Sequence, residues 1–237
     1  MVPHVELVHK SDNRFGLFIT KNMELDARRC RGRTKDPIAA DHEANLRTLE
    51  AATLKWLTTF GNVTTELVLL YDRGHHSQLG EYVCLETDFV IGTPDYPDRF
   101  GELKISGSPR EAMRWARKQL RKRVEIGSRR WPHVKALCIC IWMPFKPGDD
   151  AWHDKIFDVS DIGSIVSDNL ADRDMECYVF SGIRIMETLI KADLLTAEFP
   201  AQIFKSFDLM RNPLANHPLE IPGFALSSAF DSIVDSD

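Results

Sequence analysis

Three residues stand at a spacing that could support chemistry. In Glu86-Thr87-Asp88-Phe89-Val90-Ile91 and Gly101-Glu102-Leu103-Lys104-Ile105-Ser106, an extended backbone would alternate its side chains. Glu86, Asp88 and Val90 then share one face of the first run, and Glu102, Lys104 and Ser106 one face of the second. The intervening Gly92-Thr93-Pro94-Asp95-Tyr96-Pro97-Asp98 is dense in turn formers, so the two runs read as a hairpin. A turn centred near Asp95 sets Asp88 opposite Glu102, with Lys104 one step further along the same face. Two carboxylates at that separation repel, and burial makes the repulsion worse. A divalent cation relieves both costs. Carboxylate oxygens with retained waters are what Mg²⁺ accepts, and a bound cation acidifies water and stabilises charge on a phosphoryl oxygen. Lys104 would orient or deprotonate that water, or stabilise the transition state. The plainer reading is a cross-strand ion pair on a solvated sheet face.

Those runs need a scaffold, and the flanking sequence supplies one. Residues 5–8 and 15–20 read as short strands, followed by a basic loop, Arg28-Arg29-Cys30-Arg31-Gly32-Arg33-Thr34-Lys35. Residues 41–60 read as a helix. Asp41 is its expected N-cap, Leu46, Leu49, Thr53, Trp56, Leu57 and Phe60 recur at helical spacing, and Gly61 is the stop. Residues 66–71 read as a strand, and a polar loop with His75-His76 leads into the hairpin. Ser108-Pro109-Arg110-Glu111 is a helix start, with Ser108 and Glu111 forming a capping box and Pro109 in the first turn. That helix runs to about residue 126, ends at Gly127, and is followed by a near-continuous apolar run over 134–143, a buried central strand. Its expected inward stripe is Ala112, Trp115, Ala116, Gln119 and Leu120. Its outward face carries Arg114, Arg117, Lys118, Arg121 and Lys122, placed to meet phosphates. Residues 183–195 and 203–210 read as further helices, and residues 231–237 as an acidic tail.

The Asp…Glu-x-Lys pattern of Asp88, Glu102 and Lys104 resembles the signature of the PD-(D/E)XK nuclease superfamily, which includes restriction endonucleases, Holliday-junction resolvases and phage-type exonucleases. The resemblance covers about residues 41–143 and includes the order helix, three strands, helix, strand. Thr87 stands where the family often has Pro. Pro94-Asp95 also spells the dipeptide, but only seven residues before Glu102. The resemblance implies that Asp88 and Glu102 bind metal, that Leu103 lends a backbone carbonyl, and that Lys104 acts on the water. Many members add an acid from the first helix. Glu50, among Leu46, Thr53, Leu54 and Leu57, is the choice, with Glu43 in reserve. Gln119 matches a glutamine that steadies the site in related enzymes. Cap-snatching viral members use a helix-borne His, for which His42 is the candidate.

The bulk numbers bound these readings. The chain has 237 residues, 43% hydrophobic and 27% charged, enough for a sizeable core. No apolar run is long enough to span a membrane, and no secretory leader is expected. Five cysteines, Cys30, Cys84, Cys138, Cys140 and Cys177, are an odd and scattered set, which suits reduced thiols in the cytoplasm or nucleus. Cys138 and Cys140 share a strand face and read as core thiols ahead of a metal pair. Net charge is −5, yet residues 110–130 hold nine basic residues against two acids, +7, leaving −12 for the rest. No Gly-rich phosphate loop, Cys-x-x-Cys pair or serine-nucleophile motif is present.

The expected architecture is therefore α/β: a restriction-endonuclease-like mixed sheet flanked by helices over residues 1–150, with a mostly helical C-terminal extension over 151–237 packed on it. The expected function is hydrolysis of nucleic-acid phosphodiester bonds with Mg²⁺ or Mn²⁺, with DNA ranked ahead of RNA on superfamily frequency alone. The alternatives are a non-cutting nucleic-acid-binding or assembly protein on the same fold, and a cap-snatching-like RNA endonuclease. Nucleic acid is the expected partner. Residues 151–237 are open to a homodimer surface or a protein-docking role.

Overall fold

A computed structural model describes residues 4–12, 37–72, 82–143, 156–167 and 175–211. The elements are β1 (Val5–His9), α1 (Pro37–Leu57), a 3-10 turn (Thr58–Phe60), β2 (Val63–Asp72), β3 (Tyr82–Gly92), β4 (Pro97–Ser106), α2 (Pro109–Gly127), β5 (Lys135–Trp142), β6 (Ile156–Phe157), a second 3-10 turn (Val159–Asp161), α3 (Ile162–Ser167), β7 (Met175–Ser181), α4 (Gly182–Lys191) and α5 (Phe199–Arg211). The strands form one mixed sheet of seven in the order β1-β2-β3-β4-β5-β7-β6. The first four run antiparallel as a meander. From β4 onward every pairing is parallel, and α2 is the crossover that a parallel β4–β5 pair requires.

Alternation along the strands sorts the core into two layers. On one face Phe89, Ile91, Leu103, Leu137, Ile139 and Ile141 pack against Leu49, Ala52 and Leu57 of α1 and against α4 and α5. On the other, Val90, Phe100, Ala136 and Cys138 pack against Ala116, Leu120 and Ile126 of α2. With both faces covered, β5 is buried from Ala136 to Trp142, as its unbroken apolar run requires. The alternation assigns Leu103 and Ile105 to the face opposite Glu102 and Lys104, and they pack with the α1 layer.

Several expectations need correction. Helix α1 begins at Pro37, so Asp41 lies inside it and does not cap it; proline's fixed φ suits a first turn. At the other end Gly61 does stop the chain, with φ 78° and its N–H donated to the Thr58 carbonyl. Ser108 occupies the N-cap of α2 with extended backbone, but its side chain makes no capping bond. Instead the Ser106 hydroxyl accepts the Ser108 N–H and donates to the Ser108 carbonyl. Gly127 closes α2 for a steric reason rather than a left-handed φ: a Cβ there would lie 2.3 Å from the Phe100 ring. The region after residue 150 is not only helical. It adds β6 and β7 to the sheet, because Met175-Glu176-Cys177-Tyr178-Val179-Phe180-Ser181 pairs residue for residue with β5. Its Ile162, Phe180, Ile185, Leu189 and Ile203 belong to the same buried cluster as Leu49 and Ile139. The expected strand at 15–20, the basic cluster at 28–35, His75-His76 and the acidic tail lie outside the described residues. No helix among the described residues is long and apolar enough to cross a membrane.

Candidate active site

The candidate site forms where β3 loses its regular neighbours. The β3–β4 ladder pairs Ile91 with Arg99, Val90 with Phe100 and Phe89 with Gly101, then stops. Extending that register would bring Asp88 opposite Glu102, as the turn position predicts. Here side chains replace the ladder: the Thr87 hydroxyl reaches the carbonyls of both Phe89 and Gly101, at 3.0 Å each, and Asp88 Oδ2 accepts the Leu103 N–H at 2.7 Å. On the other edge of β3, pairing with β2 runs Thr65–Phe89 and then Leu67–Thr87, stepping over Glu66 and Asp88. Glu66 takes a left-handed φ of 60°, which a non-glycine residue rarely adopts and which costs of order 1 kcal/mol. Gly101, the last residue of β4 paired with β3, must be glycine because a Cβ there would meet the Phe89 ring at 2.2 Å.

Glu102 is 2% exposed, yet it is fully paired. Oε1 accepts from Lys104 Nζ and Oε2 from Arg123 Nη1 of α2. A carboxylate this deep needs such partners, because an unpaired buried charge is far costlier than a paired one. Lys104 remains partly exposed, while Arg123 is buried. Asp88 is held well above the usual carboxylate range, at about 6. Loss of hydration is the largest cause and the Glu102 charge the next. The Leu103 N–H and Lys104 pull the other way, and Glu50 adds a smaller push. Glu50 is thus within electrostatic reach of Asp88 from α1, where it is partly buried.

Other singled-out residues lie elsewhere. Gln119 and Trp115 are expected in the inward stripe of α2, but both side chains are exposed. The buried stripe is Ala112, Ala116, Leu120, Arg123 and Ile126. Gln119 and Trp115 instead line an open groove of about 310 Å³, with Glu111, Ala112 and, from β4, Lys104, Ile105 and Ser106. Arg114, Arg117, Lys118, Arg121 and Lys122 are exposed on α2, as expected, and none forms an ion pair among the described residues. Glu86 is exposed and paired with Lys10 at 3.0 Å. Asp95 sits in the turn, where its carbonyl accepts the Trp131 indole N–H. His42 bonds to Ser206 and meets the Phe207 ring of α5 edge-on. It lies eight residues before Glu50 in the same helix, about 12 Å along its axis. Cys138 and Cys140 are buried free thiols facing α2.

Comparison with family models, curated proteins and solved structures finds no match. What this chain can do must therefore be read from the site.

Arg123 is the functional residue hardest to see in the sequence. Its signal is spacing: 112, 116, 120 and 123 trace one helical face, so the fourth member should be buried whatever its charge. Whether the site fits a cation turns on its donors. Among the described residues there is no group of three or more His, Cys, Asp or Glu side chains that could hold a metal ion. Mg²⁺ does not require one, since it takes one or two carboxylates and keeps several waters. Asp88 Oδ1 accepts no hydrogen bond among the described residues, and the repulsion that raises the Asp88 pKa is what a cation would relieve. Asp88 Oδ1 is thus the carboxylate oxygen a hard divalent ion could take directly, while Glu102 would have to exchange a partner, Lys104 or Arg123, to join it.

Proposed function

We propose that this chain is a metal-dependent nuclease with a restriction-endonuclease-like core. The observation that carries the reading is the place of Asp88, where β3 skips one pair with β2 and its ladder with β4 ends, beside the paired Glu102 and Lys104. Regular sheet would have been lower in energy, and local irregularity of this kind concentrates at functional sites. The element order α1-β2-β3-β4-α2-β5, with the first three strands antiparallel and the fourth parallel, supports the same reading. So does the cationic face of α2, whose Arg114, Arg117, Lys118, Arg121 and Lys122 have no ion-pair partner among the described residues and suit phosphate contact.

In this mechanism Asp88, Glu102 and the Leu103 carbonyl hold Mg²⁺ or Mn²⁺, with Glu50 within electrostatic reach. The ion, when bound, supplies an acidified water and charge stabilisation at the phosphoryl oxygen. Arg123 fixes one oxygen of Glu102 from behind, so the carboxylate cannot rotate out of place. Lys104, which lines the groove, would orient that water or donate to the scissile phosphate once freed from Glu102. Cutting is expected for single- or double-stranded DNA or RNA incubated with Mn²⁺. EDTA and Lys104→Ala should each abolish it.

One observation favours a second reading, a nucleic-acid-binding protein that does not cut. Lys104 and Arg123 already occupy both oxygens of Glu102, which is how a structural ion triad looks. Metal-independent binding with no cleavage in the same assay would establish it. An RNA endonuclease using His42 would require that side chain to leave its place between α1 and α5. Cutting of RNA alone, lost in His42→Ala, would identify it.

A further inference from the structure

Trp115 is 52% exposed on a helix whose other large apolar side chains are partly or fully buried. The described residues hold two other exposed large hydrophobics, and each has an aromatic neighbour. Tyr96 stacks on His133, and Phe157 meets Tyr178 edge-on. Trp115 has no aromatic neighbour among the described residues. It has cations, with the Arg114 guanidinium 5.7 Å and the Lys118 ammonium 5.6 Å from its ring centre. Its indole forms one wall of the groove whose other wall includes Lys104.

We propose that this groove holds one unpaired nucleotide next to the phosphate at Lys104, its base stacked on Trp115 and its flanking phosphates met by Arg114 and Lys118. This deepens the nuclease reading by naming the substrate as single-stranded or frayed nucleic acid, and it rests on that reading only for what happens to the phosphate. Three observations select this occupant. The volume, about 310 Å³, lies at the low end of ligand sites, roughly 300–1,000 Å³, so it has room for one nucleotide. The groove sets the Trp115 face opposite Lys104, with Glu111 the acid in its lining and Arg114 and Lys118 flanking the ring, and an aromatic face beside cations is the pairing by which proteins hold single strands. In a closed duplex every base is stacked on its neighbours, so a lone indole gains nothing from it. Burial of Trp115 under cationic stems alone would leave its ring covered, whereas half of it faces solvent.

The test measures binding without cutting. Affinity of a short labelled single-stranded DNA and of a blunt duplex is compared in EDTA for the wild-type chain, Trp115→Ala and Trp115→Phe. The alanine variant should bind the single strand roughly ten- to hundredfold more weakly, the phenylalanine variant should recover most of the loss, and duplex affinity should move by less than about twofold. A strand of abasic nucleotides should bind wild type and Trp115→Ala equally, which a merely structural role would not produce. An oligoribonucleotide arm decides which sugar the groove prefers. The idea is overturned if single strand and duplex weaken together, if the abasic strand shows the same loss, if affinity is unchanged, or if no nucleic acid binds. Trp115-dependent binding without cleavage in Mn²⁺ would sink the nuclease reading alone. Cleavage indifferent to Trp115 would sink only the stacking groove.

Discussion

The ionised form of Asp88 is costly to the folded chain. Its pKa is raised from 3.8 to about 6, so between those values the folded state keeps a proton that the unfolded chain has released. Stability from the protonated form is therefore present below about pH 4 and lost as pH rises to about 6, by an upper bound near 3 kcal/mol. Asp88→Asn removes that cost while its amide oxygen still accepts the Leu103 N–H. Denaturant unfolding at about pH 8 should show it stabilised by roughly 1–2 kcal/mol, with a flatter profile between pH 4 and 6. Added Mn²⁺ should raise the melting temperature of the wild type and not of Asp88→Asn. Metal-dependent cutting should increase with pH through about 6, as the ligand ionises. A variant less stable than wild type at that pH would contradict the burial argument. Arg123 poses the opposite problem. Arg123→Met leaves Glu102 buried with Lys104 alone and should cost about 2–4 kcal/mol. The double variant with Glu102→Gln should recover much of that loss, so a double-mutant cycle should report strong coupling. Additive losses would mean that the two side chains do not depend on each other.

At the scale of elements, the break in β3 is matched by backbone strain in the neighbouring strand. Glu66, opposite Asp88, has φ 60°. Glu66→Gly should therefore stabilise the chain by roughly 0.5–1 kcal/mol, read as a rise in melting temperature. A loss instead would show that the glutamate conformation is not strained. No pattern in the sequence marks this residue, because glutamate has no preference for left-handed backbone. What is legible is periodic. Alternation sorts the faces of β3 and β4, an unbroken apolar run marks β5, and the turn at Asp95 sets the register that brings Asp88 toward Glu102. Helix α2 shows where that reasoning fails. Its helical repeat is legible, but the spacing draws Trp115 and Gln119 into the inner stripe beside Ala112, Ala116 and Leu120. Charge leaves Arg123 outside it. Each helix residue turns the face by about 100°, so Trp115 lies just outside the buried arc, whereas Gln119 falls between Ala112 and Ile126 and is nonetheless exposed. Burial follows the arc only where the sheet covers it, and Gln119 borders the open groove beside Lys104 instead.

Across the whole molecule, charge is segregated in a way that predicts how it meets a polyanion. Residues 110–130 carry +7 on a chain of net −5, so the remainder would repel nucleic acid while α2 attracts it. The groove at Trp115 is lined by this cationic helix, and its Arg123 pairs with Glu102, so the cationic face lies beside the candidate centre, which Glu50 approaches from α1. The side of the sheet opposite α2 is closed by α1, α4 and α5, whose apolar residues fill the larger core cluster. Because Arg117, Arg121 and Lys122 are exposed and lack ion-pair partners among the described residues, replacing all three with Gln should leave the melting temperature nearly unchanged. It should instead lower the slope of log affinity against log salt by about 2–3, one counterion for each phosphate no longer neutralised. The weakening should be similar for strands of different sequence, since phosphate contacts carry no base information. Nucleic-acid binding that keeps its full salt slope in the triple variant would move the electrostatic contact away from α2, and with it the argument that this face presents the substrate to Asp88, Glu102 and Lys104.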